Sequence, residues 1–152
     1  MKYLKLLTCI ITALPLFIFA IEERKEEITP VITHLKQRLP EWHPKIYEKH
    51  PNGSPKQVIF YEEDEQGREQ PVKQIVLFET GQQQEETDLM VVEKKESDGS
   101  LVENGVPHGV SALFHENGQI KRVSFFDRGV LHGTSKMFYP SGKLNHVTTY
   151  RE

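Results

Sequence analysis

The chain has 152 residues, with 19 Lys and Arg against 22 Asp and Glu. This length and polarity are typical of a single globular domain. The formal net charge of −3 argues against nucleic acid and anionic membrane surfaces as partners, because both repel a negatively charged protein.

Residues 1–20 have the pattern of a secretory signal peptide. Lys2 and Lys5 give a positive start, residues 6–19 are mostly apolar, and the small Ala20 precedes a charged segment. We therefore predict cleavage near Ala20 and export, to the periplasm or out of the cell. An uncleaved membrane anchor is the alternative, although the apolar run is short of the roughly 20 residues that span a bilayer.

Cleavage at this point changes what the rest of the chain can use for stability. It removes the only cysteine and two lysines, so 17 basic residues remain against 22 acidic ones, a formal net charge of −5. No disulfide can then form, and stability has to come from a packed core. We expect no membrane span in the mature chain and no nucleic-acid partner.

Residues 21–45 are predicted to be a charged segment followed by a short capping helix. Thr29-Pro30 resembles an N-cap with proline at the first helical position, and Pro40 ends the element. The apolar residues between them recur at helical spacing: Val31, Ile32, Leu35 and Leu39. A helix this short must dock to persist, so we expect it to cover the first hairpin, with Trp42 in the contact.

Residues 46–152 show strand patterns, and one unit of this region occurs twice. The landmarks recur in order and at a constant offset: Gly105 as Gly129, His108-Gly109 as His132-Gly133, Phe114 as Phe138, Gly118 as Gly142, and Val123 as Val147. A fixed period of this size indicates small supersecondary units that stack on copies of themselves.

Two weaker copies precede this pair. Residues 52–62 parallel residues 117–127, and residues 76–81 parallel residues 136–142 with one residue fewer. Irregular polar joints are expected at 63–70 and 93–104. The prediction is a mostly-β, antiparallel meander of three to four stacked hairpin repeats with a short N-terminal helix. Glycines are expected at its turns and hairpin openings: Gly53, Gly81, Gly105, Gly109, Gly118, Gly129, Gly133 and Gly142.

The motif Gly-x-x-His-Gly, then Phe after four residues, Gly after three more, and x-Ile/Leu-x-x-Val resembles the variant MORN repeat, a type also labelled antitoxin-like. The resemblance covers residues 105–150 and extends more weakly to 52–62 and 76–81. It implies an elongated sheet of antiparallel hairpins, a binding role and no catalytic residues. An antitoxin-like neutralising role is kept as an alternative, although it fits poorly with a signal peptide.

No catalytic, metal or cofactor site is predicted. His108 and His132 occupy equivalent positions two strands apart, roughly 10 Å, which is too far for two ligands of one zinc ion at about 2.0–2.1 Å each. No nucleophile motif surrounds the strand serines: Ser111, Ser124 and Ser135. Adjacent carboxylates such as Glu85-Glu86 are expected to be solvated.

The remaining candidate site is a surface for an unidentified protein partner. Aromatic and apolar side chains on a rigid sheet are typical binding anchors: His115, Phe125, Tyr139, Val147 and Tyr150. The last strand, within residues 143–150, is expected to be an open edge. We therefore predict an exported, non-enzymatic interaction module that binds through its aromatic face or this edge.

Three alternatives to a partner-binding module stay open. One is an envelope protein that binds or hydrolyses polysaccharide, which would need convergent carboxylates in a cleft. Another is a spacer that associates with itself edge to edge. The third is a truncated remnant of a longer repeat protein.

Overall fold

The computed structural model of the protein describes residues 34–95 and 101–151. Eight strands form one antiparallel sheet in which each strand pairs with its neighbours along the chain. The strands are β1 (His43–Lys49), β2 (Pro55–Glu63), β3 (Glu69–Leu77), β4 (Gln83–Lys95), β5 (Leu101–Phe114), β6 (Ile120–Asp127), β7 (Val130–Phe138) and β8 (Leu144–Tyr150). The predicted mostly-β meander of hairpins is confirmed.

Five of the turns between strands have the same construction. In each five-residue turn, the first N–H donates to the fifth carbonyl, and the first carbonyl accepts from the N–H of a glycine in fourth place. The five glycines have φ between 75° and 85°, as in a type I turn followed by a left-handed residue. The turns span residues 50–54, 64–68, 78–82, 115–119 and 139–143.

The strand pairing repeats with the same period as the sequence. Gly109 pairs with Phe126 and Gly133 with Tyr150; Ala112 pairs with Val123 and Lys136 with Val147; Phe114 pairs with Ile120 and Phe138 with Leu144. Each pair in the β7–β8 hairpin is the corresponding β5–β6 pair moved by one period. The two sequence copies are therefore the same hairpin, built twice and joined through β6 and β7.

The hairpin between β6 and β7 uses a shorter turn. Arg128 and Gly129 have φ of 46° and 86°, the combination of a two-residue type I′ turn. The Gly129 N–H donates to the Pro107 carbonyl at 2.7 Å. This bond ties the turn to β5, so neighbouring hairpins are linked at this end as well as through their strands.

Three of the predicted turn glycines lie inside strands. Gly105 is within β5 opposite Val91, so its assignment to a turn is wrong. A Cβ at this position would be 2.8 Å from Pro71 Cγ, which means that close packing excludes a side chain there. Gly109 and Gly133 have φ of 88° and 68°, but they lie at register shifts of β5 and β7 and form bulges.

The boundaries of the weaker repeats also need correction. Residues 93–95 and 101–104 belong to β4 and β5, so the described part of the second expected joint is strand. Turn 78–82 aligns with turn 139–143 residue by residue, and no residue is missing from the earlier copy. The expected joint at 63–70 contains a five-residue turn of the common type. This turn closes the β2–β3 hairpin, which the repeat pattern did not predict.

The predicted N-terminal helix is wrong where the structure describes it. Residues 34–39 are not helical; the first half of the expected helix lies outside the described residues, as does the predicted signal peptide. Residues 34–42, which we call the strap, lie against the sheet, and Leu35 packs on a core cluster of Val110, Val123 and Phe138. Within the described residues, no helix is long and apolar enough to cross a bilayer.

The two faces of the sheet are buried in different ways. Val110 and Ala112 are buried on the face that Leu35 covers, whereas Ser111 between them points to the opposite face. On that face hydroxyls pair across strands: Thr87 Oγ1 with Ser111 Oγ at 2.7 Å, and Ser124 Oγ with Ser135 Oγ at 2.9 Å. These buried hydroxyls therefore satisfy one another.

The turn geometry predicts the effect of replacing Gly118 with alanine. No atom lies within 4 Å of a Cβ built at Gly118, so the cost of Gly118→Ala is backbone strain alone. We expect the free energy of unfolding to fall by about 1–2 kcal/mol, measured by urea titration. Gly118→Asn should cost less, because asparagine tolerates a left-handed conformation; equal stability of both variants and the parent would contradict this account.

Candidate interaction surface

The sheet ends in two strands that each have a single neighbour among the described residues. β8 pairs only with β7, and all seven of its residues are exposed. β1 pairs only with β2, and its residues Ile46 and Tyr47 are 51% and 61% exposed. An edge strand presents unpaired backbone N–H and C=O groups to another strand, so these are the two places where the sheet can be extended.

Four of the five-residue turns lie at the same end of the sheet, because they close alternate hairpins of the meander. Their first residues form a row along this end: His50, Phe78, His115 and Tyr139. His50 Nε2 is 3.0 Å from the Leu77 carbonyl, and His115 Nε2 is 3.0 Å from the Phe138 carbonyl. Both histidines thus bind the carbonyl that immediately precedes the next turn in the row.

Tyr139 has the corresponding place in the last turn of this row. Its side chain is 51% exposed, since no further turn follows it among the described residues. The adjacent turn contributes a second link, because Asn117 Nδ2 donates to the Pro140 carbonyl at 2.8 Å. Turn 139–143 is therefore held firmly from one side and open on the other.

The five predicted binding residues fall into two groups. Tyr139, Val147 and Tyr150 are exposed, at 51%, 48% and 38%, and all three lie on the β7–β8 hairpin. Phe125 instead packs against the core cluster, and His115 is bound to a backbone carbonyl. The structure thus brings three of the five together beside one edge, while the other two have internal partners.

A buried charge cluster fixes the strap to the sheet. Lys73 is fully buried, with Nζ 2.7 Å from Asp88 Oδ1 and 2.9 Å from Glu86 Oε1. From the strap, the Lys36 N–H donates to Asp88 Oδ2 at 3.0 Å, and Arg38 is 3.5 Å from Glu86. The strap therefore adds bonds that the carboxylates need, and it covers this part of the face.

Glu86 is held ionised by this cluster. Burial of its carboxyl favours the neutral acid, but the hydrogen bond and charge of Lys73, aided by Gln83 and Arg38, outweigh burial and lower the pKa of Glu86 below its ordinary value. Its side chain is only 14% exposed. The prediction that Glu85-Glu86 is simply solvated is wrong for Glu86.

Side chains on β1 are anchored to the next two strands. The Tyr47 and Tyr61 hydroxyls are 2.6 Å apart, and burial, followed by this hydrogen bond, raises the pKa of Tyr61. Hydrogen bonds from Lys45 and His43 lower the pKa of Glu69. The β1 edge therefore carries a fixed pattern of hydroxyl and charged groups.

The histidines and grooves of the described residues are the places where a reactive site could lie. No three His, Cys, Asp or Glu side chains of this part of the chain are arranged to hold a metal ion. His108 Nδ1 accepts from the Arg128 N–H at 3.4 Å, and His132 is exposed on β7. A groove of about 410 Å³ is lined mainly by apolar residues, and one of about 200 Å³ combines apolar residues with His115, Glu116 and Lys121. Neither brings two carboxylates together.

Comparison with known families agrees with the repeat that the register shows. Residues 107–128 and 131–152 each match the MORN repeat variant. These segments, 44 of the 152 residues, are similar to MORN repeats. The matches begin one sequence period apart and cover the second part of β5 with β6, and then β7 with β8. Comparisons with curated proteins and with solved structures gave no match.

The two matched segments bear on the general role of the chain. Such repeats generally serve binding, so the match suggests a repeat protein with a binding role. The matched segments contain Tyr139, Val147 and Tyr150, the exposed group of predicted residues. The exposed edge thus lies within the second matched segment, residues 131–152.

The charge cluster was not predictable from the sequence. Lys73 and Asp88 each have one polar and one apolar neighbour in the sequence, and charged residues are normally exposed. Their burial depends on the strap, which is distant along the chain, since 52 positions separate Lys36 from Asp88. The one available signal is the pair of opposite charges at directly facing positions of β3 and β4.

Replacing Lys73 should be far more damaging than replacing an exposed lysine in an ion pair. Lys73→Met leaves the buried Asp88 without its cation and Glu86 with only the more exposed Arg38, and we expect the free energy of unfolding to fall by about 3–5 kcal/mol. The matched control is Lys56→Met, which breaks an exposed pair with Glu48 and should cost no more than about 1 kcal/mol. Urea titration of both variants measures the difference; equal losses would contradict a stabilising role for the buried charge cluster.

The lowered pKa of Glu86 predicts a loss of stability in acid. A carboxyl whose pKa is lower folded than unfolded stabilises the protein above its unfolded value, about 4.3, and this contribution disappears as pH falls through the folded value. We expect the free energy of unfolding of the wild type to decrease as pH falls below about 5. Lys73→Met should lose less over this range, because protonation then relieves an uncompensated charge. Asp64 and Glu69, whose pKa values are also lowered, contribute equally to both proteins. Parallel pH profiles of the two proteins would therefore contradict the stabilising contribution of ionised Glu86.

Proposed function

We propose that the protein is an exported, non-enzymatic interaction module that binds an extended segment of a protein partner along the outer edge of β8. Binding by strand addition uses the backbone groups of an exposed sheet edge for affinity and the neighbouring side chains for specificity. The observation that carries this proposal is that every residue of β8 is exposed while its inner side is paired with β7.

The edge is a better binding site than the aromatic face. The strap lies on the face that carries Phe60, with Arg38 5.6 Å from the Phe60 ring centre. Phe125 packs against the core cluster on the same face. A partner on this face would have to displace contacts that already exist, whereas a partner at β8 adds contacts to an exposed strand.

Side chains beside β8 suit a protein segment. Val147 and Tyr150 provide apolar contact, and Thr148 and Thr149 can donate and accept hydrogen bonds. Aromatic and apolar anchors within a polar rim are typical of protein interfaces. The export part of the proposal is supported by the signal-peptide pattern of residues 1–20 alone.

Crosslinking in the native cell tests the proposal. An amine-reactive crosslinker can react with the exposed Lys143, which directly precedes β8. We expect the wild type to be recovered outside the cytoplasm with Ile21 as its first residue, crosslinked near Lys143 to a protein partner. Val147→Pro removes one edge N–H and blocks strand addition, so it should reduce recovery of that partner at least tenfold.

Two matched variants separate strand addition from loss of fold or of apolar surface. Val147→Thr keeps the backbone donor and a β-branched side chain, so it should retain the partner. Val130→Asp removes an exposed valine outside the part of β7 that pairs with β8 and should also retain it. Recovery of the same partner by Val147→Pro at the wild-type level would rule out binding at this edge.

A further inference from the structure

At the end of the sheet that carries four turns, the strand pairing between successive hairpins follows one register rule. We count from the first residue of each of these four turns. The residue seven positions after it pairs with the residue two positions before the first residue of the next turn at the same end. The pairs are Gln57 with Val76, Glu85 with Leu113, and Arg122 with Met137. The rule holds although the intervening strands differ in length, so it is a property of the way the hairpins stack.

The two edges of the sheet are suited to continue this rule. Strand direction alternates in the meander, so β1 of a second copy placed beside β8 in the same orientation runs antiparallel to it. The second copy's turn 50–54 then lies beside turn 139–143, at the end where the row of turns already stands. Applied to these two turns, the rule pairs His146 with Glu48 of the second copy.

We propose that copies of this chain associate head to tail, with β8 of one copy paired to β1 of the next in the register His146 to Glu48. This inference rests on the proposed function, since it uses the same edge of β8, and it identifies the partner as a second copy. In this register the directly paired residues form one continuous row across both copies. Glu48 of the second copy is itself paired with Gln57, which is the first residue of the first pair given above.

Hydrogen-bond complementarity between His146 and Glu48 supports this register. Directly paired residues of an antiparallel sheet place their side chains on the same side, within reach of each other. His146 is exposed on β8, and Glu48 is 51% exposed on β1. Lys56 binds Oε1 of this carboxylate at 2.6 Å, which leaves Oε2 to accept from the imidazole of the other copy.

The row of turns supplies a second contact at the same junction. Within one chain, His50 and His115 each bind the carbonyl immediately before the next turn. At the junction the corresponding donor is the Tyr139 hydroxyl, and the corresponding carbonyl is that of Lys49 in the second copy. The half-exposed position of Tyr139 is thus the place where the next turn would stand.

Exposed apolar side chains lie on both strands that would meet. Val147 and Tyr150 of β8 are 48% and 38% exposed, and Ile46 and Tyr47 of β1 are 51% and 61% exposed. Pairing would remove part of this surface from water, which favours association. Because the two contact surfaces differ, the interface is heterologous and can add further copies, giving open chains or rings.

Disulfide trapping tests the register. All variants carry Cys9→Ser in the full chain, so the only cysteine is the introduced one. Glu48→Cys mixed with His146→Cys should give a disulfide-linked heterodimer under mild oxidation, because paired residues have Cα atoms about 4.5–5.5 Å apart, within the range that a disulfide bridges. The off-register control mixes Lys45→Cys with His146→Cys and should react at least tenfold more slowly.

Other outcomes of the same experiment decide against the inference. Preferential homodimers of His146→Cys or of Glu48→Cys would indicate an edge pairing with itself, and equal rates for both mixtures would indicate random collision. Light scattering on the wild type should show a mass that rises with concentration, and Tyr139→Phe should weaken association about two- to tenfold, the loss of one hydrogen bond. A monomer at every concentration would overturn the inference.

The failure of this inference can be distinguished from the failure of the proposed function. If the wild type is monomeric but Val147→Pro still abolishes capture of another protein, head-to-tail pairing is rejected and binding at the β8 edge stands. If Val147→Pro changes neither self-association nor capture, both are rejected. Val147→Thr is the folded control in each measurement.

Discussion

The five-residue turn with glycine in fourth place is the constraint on which the rest of this structure depends. Two backbone hydrogen bonds and one left-handed residue close it in the same way five times. Because a one-residue slip would move every side chain to the other face, a fixed turn keeps apolar residues such as Val110 and Val123 on one side across several strands. The register of the hairpins that it closes and the row of turn residues follow from it.

A single sheet has to cover an apolar face, and this protein does so with the strap. Leu35 packs on the core cluster, while Lys36 and Arg38 engage the carboxylates around Lys73. A buried ion cluster is itself costly to desolvate, so its value here is to hold one particular segment in place through the geometry of its bonds. Occupying the face in this way leaves the edges as the surfaces on which further strands can pair.

Local and periodic features were predictable from the sequence, and features that join distant segments were not. Glycines at turns and the regular period indicated the β5–β8 hairpins, because turn chemistry and repetition are local signals. The turns starting at residues 50, 64 and 78 are also evenly spaced, but their strands share too few residues for this to be recognised. The apolar spacing around Leu35 suggested a helix, yet it serves an irregular segment that packs on the sheet. Gly105 looked like a turn, and only Pro71 on a distant strand explains it.

The identical register of the β5–β6 and β7–β8 hairpins makes the length of the sheet adjustable in whole units. One repeat unit comprises two strands, so duplicating or deleting it would move the outer edge by about 9.6 Å and leave the direction of that edge unchanged. Every remaining hairpin would still pair with a neighbouring strand of the same type and in the same register. Gain or loss of repeat units therefore changes the width of the sheet while the binding surface of its edge strand stays the same.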